Sequence, residues 1–230
     1  MTSSFRFDDL WALYERYKAR YGAHAYRHIS ELFDEAHKLH RRGFSGRDHG
    51  QSWKSFKGHN MEKLLVRLIT DQVESLGLKI IPGSKLERAN PENLPDELAQ
   101  VKAGLLIEYG ALGSHLPDAD IVVYDPASSK TLAVISSKVT LRERIAQSGY
   151  WKFKLRGQAR TRDVRFYFVT LDEDGDLIGD RAAKKSRAIV ETELDGTYVL
   201  TPSEVNTSDK VKPFSQFIDD LRAHLTQAGP

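Results

Sequence analysis

The segment between Asp118 and Gln147 constrains the fold of this chain more than any other part of the sequence. Two apolar runs, Asp120–Tyr124 and Thr131–Ser137, flank the turn-forming residues Asp125-Pro126-Ala127-Ser128. Short runs rich in β-branched residues on either side of such a turn are typical of a β-hairpin. We therefore expect two antiparallel strands here.

The residues after the hairpin predict that its sheet is mixed. A helix is expected from near Leu141 to about Leu155, and the run Val164–Leu171 is apolar enough for a strand buried on both faces. A strand, a helix and a second strand form a crossover that makes the two strands parallel. The sequence thus predicts an α/β fold, with a mixed β-sheet core flanked by helices.

The first third of the chain is expected to be helical. Apolar residues recur every three or four positions over residues 7–21 and 26–40, which predicts two amphipathic helices. A glycine-containing loop is expected over residues 41–58. The clearest helical pattern covers residues 60–76, and Gly77 is expected to end that helix.

These patterns predict an N-terminal helical region of residues 1–57 followed by a core of residues 58–230. The remaining expected elements are a strand at 78–81, a polar loop at 84–94, a partly helical segment to 106, a helix at 181–190, a strand at 197–200 and a closing helix at 214–225.

Composition restricts the class of protein. The chain of 230 residues has no cysteine, which excludes disulfides and cysteine-based zinc sites. Neither an apolar run of about 18 residues nor an export signal is present, so we expect a cytoplasmic protein without a membrane span. The net charge of +2 is small, but basic residues cluster in two places. Phosphate binding and ordinary solvation are both open for these clusters, which are Arg41, Arg42, Arg47, Lys54 and Lys57, and Lys152, Lys154, Arg156, Arg160 and Arg162.

The hairpin can bring an acid, a hydroxyl and an amine together. Alternate side chains of a strand share a face, so Asp118 and Asp120 lie on one face of the first strand, and Ser136 and Lys138 share a face of the second. The turn position predicts that Asp120 faces Ser136 and that Asp118 faces Lys138. Directly opposed residues have Cβ atoms about 5 Å apart.

This set of groups suits hydrolysis of a phosphodiester. The reaction needs a hard cation, and Mg²⁺ binds one or two carboxylates together with water and phosphate oxygens. An ammonium such as that of Lys138 can stabilise charge in the transition state. The alternative is that strand ends are simply polar, and that Asp118, after Pro117, is a turn residue.

The start of the next helix carries Arg142, Glu143 and Arg144. Arginine can donate two hydrogen bonds to guanine, and glutamate can accept one from cytosine, so this triplet is a candidate for reading G·C pairs in the major groove. Gln147, one turn later, is a further candidate. The alternative is a capping box in which Glu143 pairs with Thr140, although two arginines at a helix N-terminus oppose the helix dipole.

Over residues 59–171 the chain resembles the PD-(D/E)xK nucleases, and specifically the type II restriction endonucleases that cut CCGG and CCNGG sites, with the BsaWI-type enzymes most similar. Several members have serine at the first position of the (D/E)xK element, as in Ser136-Ser137-Lys138 here. In the CCNGG branch an Arg-Glu-Arg triplet at the same offset from the lysine reads the G·C pairs. The resemblance implies a restriction-endonuclease-like core with an N-terminal helical addition.

In this group a helix supplies the acid that the serine replaces. One family position falls on residues 150–152, which contain no acid, so the chain departs from the pattern there. The other falls on Glu62, which is alternatively a solvated acid in the first turn of its helix. For the strand acid, Asp120 directly precedes the apolar run and is preferred, while Asp118 supplies the literal Pro-Asp pair. The implied metal ligands are therefore Asp120, Glu62 and, as an alternative, Asp118.

The function implied is that of a Mg²⁺-dependent type II restriction endonuclease. It would cut both strands of double-stranded DNA at a short palindrome with a CC/GG core and leave 5′-phosphate ends. Palindromic recognition implies a homodimer or a dimer-based oligomer. The sequence has no glycine-rich phosphate-binding loop, so we expect no nucleotide cofactor. The rivals are a non-cleaving DNA-binding protein on a degenerate nuclease fold and a repair or structure-selective nuclease. Candidate contacts to the DNA backbone are Lys152, Lys154, Arg156, Arg42 and Lys57.

Overall fold

The computed structural model describes residues 5–179 and 184–227, apart from the side chains of Arg142, Glu143 and Gln227. In chain order its elements are α1 (Phe7–Tyr21), α2 (Ile29–Gly43), α3 (His49–Glu74), β1 (Lys79–Pro82), α4 (Gly83–Arg88), α5 (Asp96–Leu105), β2 (Ile107–Glu108), β3 (Ser114–His115), β4 (Ile121–Tyr124), β5 (Thr131–Lys138), α6 (Arg142–Arg156), β6 (Arg165–Thr170), α7 (Lys185–Glu193), β7 (Gly196–Val199), β8 (Val211–Pro213) and α8 (Phe217–Gln227). Short 3₁₀ helices cover Gly22–His28, Pro91–Asn93, Gly110–Leu112 and Phe214–Gln216.

The main sheet is mixed, as the sequence predicts. Its strand order is β1-β4-β5-β6-β7-β8. Strands β1, β4 and β5 pair antiparallel, whereas β5, β6, β7 and β8 pair parallel. The hairpin and the crossover through α6 are both confirmed, while β8 escaped the sequence analysis.

Alternation along the strands divides the core between the two faces of the sheet. Ile121, Val123 and Ile135 belong to the apolar cluster that includes residues of α1, α2, α3 and α8. Val122 and Val134 belong to the cluster that includes residues of α5, α6 and α7. Full burial of side chains of this size stabilises the fold by about 1.5–3 kcal/mol each. Helices therefore cover both faces of the sheet.

Helix α3 is longer than its sequence pattern indicates. The expectation of a loop over residues 41–58 is wrong, because α3 already begins at His49. Asp48 caps this helix, and its side chain accepts a hydrogen bond from the Gln51 amide at 3.0 Å. The ring of Trp53 packs edge-on against Phe33 of α2 at 6.3 Å. Aromatic packing of this kind outweighs the low helix propensity of the glycines in the segment.

The two-part division of the chain at residue 57 stays a prediction. Helix α3 runs without a break across that point, and buried residues of α1 and α2 share one apolar cluster with the sheet. At its other end α3 stops as expected, because Gly77 has a φ of 77°, which favours glycine.

Two smaller differences concern a loop and a helix end. The polar loop expected at 84–94 contains α4. The helix expected at 181–190 is observed as α7, from Lys185 to Glu193, and residues 181–183 lie outside the described part of the chain. None of the described helices combines the length and the apolar character needed to cross a bilayer.

Candidate active site

Asp120 lies immediately before β4, at a point where three chain segments meet. Its amide donates to the Ile135 carbonyl at 3.0 Å, and its carbonyl accepts from the Gly83 amide at 2.9 Å. A Cβ added at Gly83 would lie only 1.8 Å from the Ala119 carbonyl oxygen. Only glycine therefore lets the start of α4 approach β4 this closely. Sequence analysis missed this role, although a glycine directly after a strand is the signal that could have indicated it.

The Asp120 carboxylate is held by three donors from the end of β5. Lys138 Nζ donates to Oδ2 at 2.7 Å and to Oδ1 at 2.9 Å. The Ser137 amide donates to Oδ2 at 2.6 Å, and Ser136 Oγ lies 3.4 Å from the same oxygen. The side chains of Asp120 and Lys138 are 9% and 17% exposed. Hydrogen bonds to an ionised group are short and strong, so the position of this carboxylate is well defined.

The register places Asp120 beside Ser136, as the sequence predicts. The described pairing of β4 begins at Ile121, so the expectation that Asp118 faces Lys138 stays a prediction. Pairing of Ile121 with Ile135 leaves Lys138 diagonal to Asp120, and its long side chain reaches that carboxylate. Asp118 Oδ2 instead accepts a hydrogen bond from Gln147 Nε2 at 2.7 Å. This contact links the segment just before β4 to the second turn of α6.

Glu62 of α3 lies next to Asp120. The pKa of Glu62 is raised to about 7, first by burial and then by the negative charge of Asp120, while Lys138 acts in the opposite direction. A hydrogen bond between the Glu62 and Asp120 carboxyl groups also contributes to this rise. The helix acid that the sequence analysis placed at Glu62 is therefore brought together with Asp120 and Lys138.

The two carboxyl groups fit a hard divalent cation. No group of three or more His, Asp or Glu side chains with the arrangement of a metal site occurs among residues 5–179 and 184–227. Mg²⁺ does not require such a group, since it binds one or two carboxylates and completes its shell with water and phosphate oxygens. The mutual repulsion that raises the pKa of Glu62 is also what a cation between the two groups would offset.

The carboxyl pair is open to a large groove. Asp120 and Glu62 both line a groove of about 1260 Å³ between α1, α3 and the start of α4. His59 of α3 and Lys85 of α4 line the same groove, and it extends to the ring of Trp11. A charged polymer in this groove could therefore contact the carboxyl pair.

Helix α6 starts at Arg142, and Leu141 occupies its N-cap position without a capping hydrogen bond from its side chain. Thr140 therefore does not take the cap position that a capping box with Glu143 requires. Arg144 is exposed, and the side chains of Arg142 and Glu143 lie outside the described part of the chain. Base reading by this triplet stays a prediction. The predicted role of Gln147 in base reading has to be compatible with the hydrogen bond that its side chain donates to Asp118.

One predicted phosphate contact is wrong. Lys152 is 4% exposed, and its ammonium lies 2.5 Å from Asp195 and 2.9 Å from the Val164 carbonyl oxygen. It lies on the buried side of α6, together with Ile145 and Leu155. Lys57 is also engaged, since it forms an ion pair of 2.5 Å with Glu173 and its side chain is 14% exposed.

The other predicted phosphate contacts lie at the surface. Arg42 and Arg156 are exposed. Lys154 is half-buried, with Nζ 5.1 Å from the ring centre of Tyr109 and 5.5 Å from that of Tyr150. Nothing in their positions opposes DNA contact, and their roles stay predictions.

The chain is similar in sequence to a family of restriction endonucleases and to two proteins named as type II restriction enzymes. The profile of the family described as BsaWI restriction endonuclease type 2 matches residues 97–220. A Methanocaldococcus jannaschii protein named "Putative type II restriction enzyme MjaVIP" is 32% identical over 212 residues, which cover 84% of this chain and 92% of that protein. A Helicobacter pylori protein named "Probable type II restriction enzyme HpyAORF263P" is 31% identical over 127 residues, which cover 55% of this chain and 64% of that protein.

Two solved structures share the fold. A complex of the restriction endonuclease PspGI with substrate DNA matches with a TM-score of 0.50 and 16% identity, over 96% of this chain and 80% of that one. A complex of the restriction endonuclease AgeI with DNA matches with a TM-score of 0.54 and 14% identity, over 97% of this chain and 92% of that one. At such low identity the likeness concerns the arrangement of the sheet and its helices.

Proposed function

Because the chain belongs to the BsaWI restriction endonuclease family, we propose that it cleaves double-stranded DNA with Mg²⁺ at a short palindrome. The observation that carries this proposal is the convergence of Lys138 and Glu62 on the Asp120 carboxylate inside an open groove. A metal-binding acid, a second acid and an ammonium at one point are the groups that phosphodiester hydrolysis requires.

Each group has a distinct role. Asp120 and Glu62 would hold Mg²⁺, which when bound supplies a Lewis acid on the scissile phosphate and activates water. Lys138 offsets the negative charge that develops on the phosphorus oxygens. Ser136 and the Ser137 amide keep the Asp120 carboxylate in place. Attack of water on phosphorus with departure of the 3′ oxygen leaves the 5′-phosphate ends that we propose.

Recognition is assigned to the start of α6. Arg142 and Arg144 would donate to guanines and Glu143 would accept from cytosine, which suits a CC/GG core. A palindrome presents the same edges twice, so a homodimer with twofold symmetry would place one α6 on each half-site.

Digestion of genomic DNA with the purified protein and Mg²⁺, followed by sequencing of the ends, tests the proposal. We expect 5′-phosphate ends at one palindrome that contains CC and GG, and no cleavage by Asp120→Asn prepared in parallel. Ends scattered over unrelated sequences would contradict site-specific cleavage, as would equal cutting by the variant.

One observation favours a second candidate, a DNA-binding protein that does not cleave. Ser136 stands where an acid is common in such sites, and its hydroxyl lies 3.4 Å from Asp120. That candidate predicts that the wild-type protein binds duplex DNA yet leaves it intact with either Mg²⁺ or Mn²⁺. Any cleavage that requires both the metal and Asp120 eliminates it.

A further inference from the structure

Two cations of α3 lie over two aromatic rings of α1. Lys63 Nζ is 5.6 Å from the ring centre of Phe7, and Arg67 Cζ is 4.0 Å from that of Trp11. The two rings are four residues apart on α1, and the two cations are four residues apart on α3. Residues with this spacing share a helix face, so α1 and α3 meet in two matching cation–π contacts.

The charges of these two side chains face the solvent. Both are exposed, and within the described part of the chain neither forms an ion pair with a carboxylate. Lys57, on the same helix, differs because Glu173 neutralises it. A cation–π contact orients an ammonium or guanidinium without cancelling its charge. Lys63 and Arg67 are therefore positioned cations that remain available to an anion.

Their location connects them to the candidate active site. Lys63 is the neighbour of Glu62 in the sequence, and both cations line the groove that contains Glu62 and Asp120. The rings of Phe7 and Trp11 line this groove as well. An anionic polymer whose backbone reaches the carboxyl pair would therefore pass Lys63 and Arg67.

We propose that Lys63 and Arg67 bind phosphates of the cleaved strand next to the scissile phosphate, and that α1 positions them through Phe7 and Trp11. This inference rests on the proposed nuclease function and extends it to the N-terminal helices. Four residues of helix span about 6 Å, and phosphates on one strand recur about every 3.4 Å along the DNA axis, so the two cations match phosphates one or two steps apart.

The salt dependence of DNA binding tests the phosphate contacts. Fluorescence anisotropy of a labelled duplex of arbitrary sequence, without divalent metal, gives the slope of log affinity against log salt concentration. Each lost phosphate contact lowers the magnitude of this slope by about 0.9. We expect that decrease for Lys63→Ala and for Arg67→Ala, and about twice that decrease for the double variant.

Arg20 provides a matched control. Its guanidinium lies 5.0 Å from the ring centre of Tyr21 on α1, and it is not among the residues that line the groove. Arg20→Ala removes the same charge from the same helical region and should leave the slope unchanged. An equal decrease in Arg20→Ala would show a general charge effect and overturn the assignment.

Two variants of Trp11 test the positioning role. Trp11→Leu keeps an apolar side chain but removes the ring, and an exposed cation–π contact of this kind corresponds to about two- to fivefold in affinity. We expect DNA affinity to fall by that factor in Trp11→Leu, with an unchanged salt slope, and to be largely retained in Trp11→Phe. Wild-type affinity in Trp11→Leu would remove α1 from the inference.

The outcomes separate this inference from the proposed function. A wild-type protein that binds no duplex DNA overturns both. A wild-type protein that binds and cleaves, together with a double variant of wild-type slope, overturns only the role of Lys63 and Arg67.

Discussion

Lys138 Nζ contacts both carboxylate oxygens of Asp120, at 2.7 and 2.9 Å, across the end of the β4–β5 hairpin. The contact joins a group that can bind a metal to a group that can stabilise phosphate charge. It depends on the pairing of Ile121 with Ile135, which fixes the position of both side chains. The hairpin therefore brings together two of the three groups to which we assign catalysis, and α3 supplies the third, Glu62.

Lys138→Met should abolish most cleavage but retain DNA binding. The substitution removes the ammonium and keeps an apolar side chain of similar length. Loss of one stabilising group of this kind lowers a catalytic rate by about 10²- to 10³-fold. Single-turnover cleavage at a saturating protein concentration measures the chemical step, and anisotropy measures binding.

The control is Asp125→Asn at the other end of the same hairpin. The Asp125 side chain accepts hydrogen bonds within the turn, from the Ala127 amide at 2.9 Å and the Ser128 hydroxyl at 2.6 Å. This variant should cleave at the wild-type rate. Rapid cleavage by Lys138→Met would refute the role assigned to the ammonium.

Glu62→Gln should raise the concentration of Mg²⁺ needed for cleavage. Glu62 is the second carboxyl group beside Asp120, and its amide replacement keeps the shape but loses the charge. Loss of a group that only supports a metal ligand already costs about 10- to 100-fold in metal affinity, so loss of a proposed ligand should cost at least as much. Cleavage rates over a Mg²⁺ titration and calorimetric titration with Mn²⁺ measure the effect.

Glu87→Gln, an exposed substitution on α4, is the comparison variant for Glu62. It should leave the metal requirement unchanged. If Glu62→Gln needs no more metal than the wild type, the second acid must come from elsewhere in the chain.

Arg144→Ala should relax recognition at one base pair. A bidentate arginine–guanine contact contributes about 1–3 kcal/mol of discrimination against the wrong base. The measurement compares cleavage of the recognised site with cleavage of sites that carry one substitution. Arg156→Ala, at the far end of α6, should weaken binding to all sequences alike. A specificity profile that is identical for Arg144→Ala and the wild type would exclude Arg144 as a reader.

Strand pattern and turn chemistry were sufficient to predict the part of the site that lies on the hairpin. The apolar run of β4 and the turn at Asp125 fix the register, and the register brings Asp120 beside Ser136. The partner of Lys138 was not predictable in the same way, because a four-carbon side chain can reach a diagonal neighbour as easily as an opposite one.

Contacts between distant segments explain the failures. The aromatic rings of Trp53 and Phe33 extend α3 through a glycine-containing stretch that looks like a loop on its own. Lys152 looks like one more basic residue of α6 until Asp195, from beyond the following strand, is seen to pair with it. Local propensity contains no information about partners of this kind.

The ion pair of Lys152 and Asp195 leads to a prediction about acid stability. Burial alone would raise the pKa of Asp195, but Lys152, the Phe166 amide and Arg165 outweigh it, so the pKa is lowered from 3.8. A carboxyl group whose pKa is lower in the folded state stabilises the fold above its unfolded value, and this contribution is lost as the pH falls through the folded pKa. The contribution is therefore complete at pH 7 and declines below 3.8.

Asp195→Asn should accordingly lower the free energy of unfolding most at neutral pH. It leaves the buried Lys152 without its counter-charge, which costs about 3–5 kcal/mol of unfolding free energy. Urea titrations at neutral pH and in acid should show the difference between variant and wild type narrowing in acid, where Asp195 is protonated in the wild type too. Asp219→Asn removes an exposed partner of Arg222 and should cost at most about 1 kcal/mol. If Asp195→Asn lowers the free energy of unfolding by the same amount at both pH values, the side chain stabilises the fold by packing and hydrogen bonding and not by its charge.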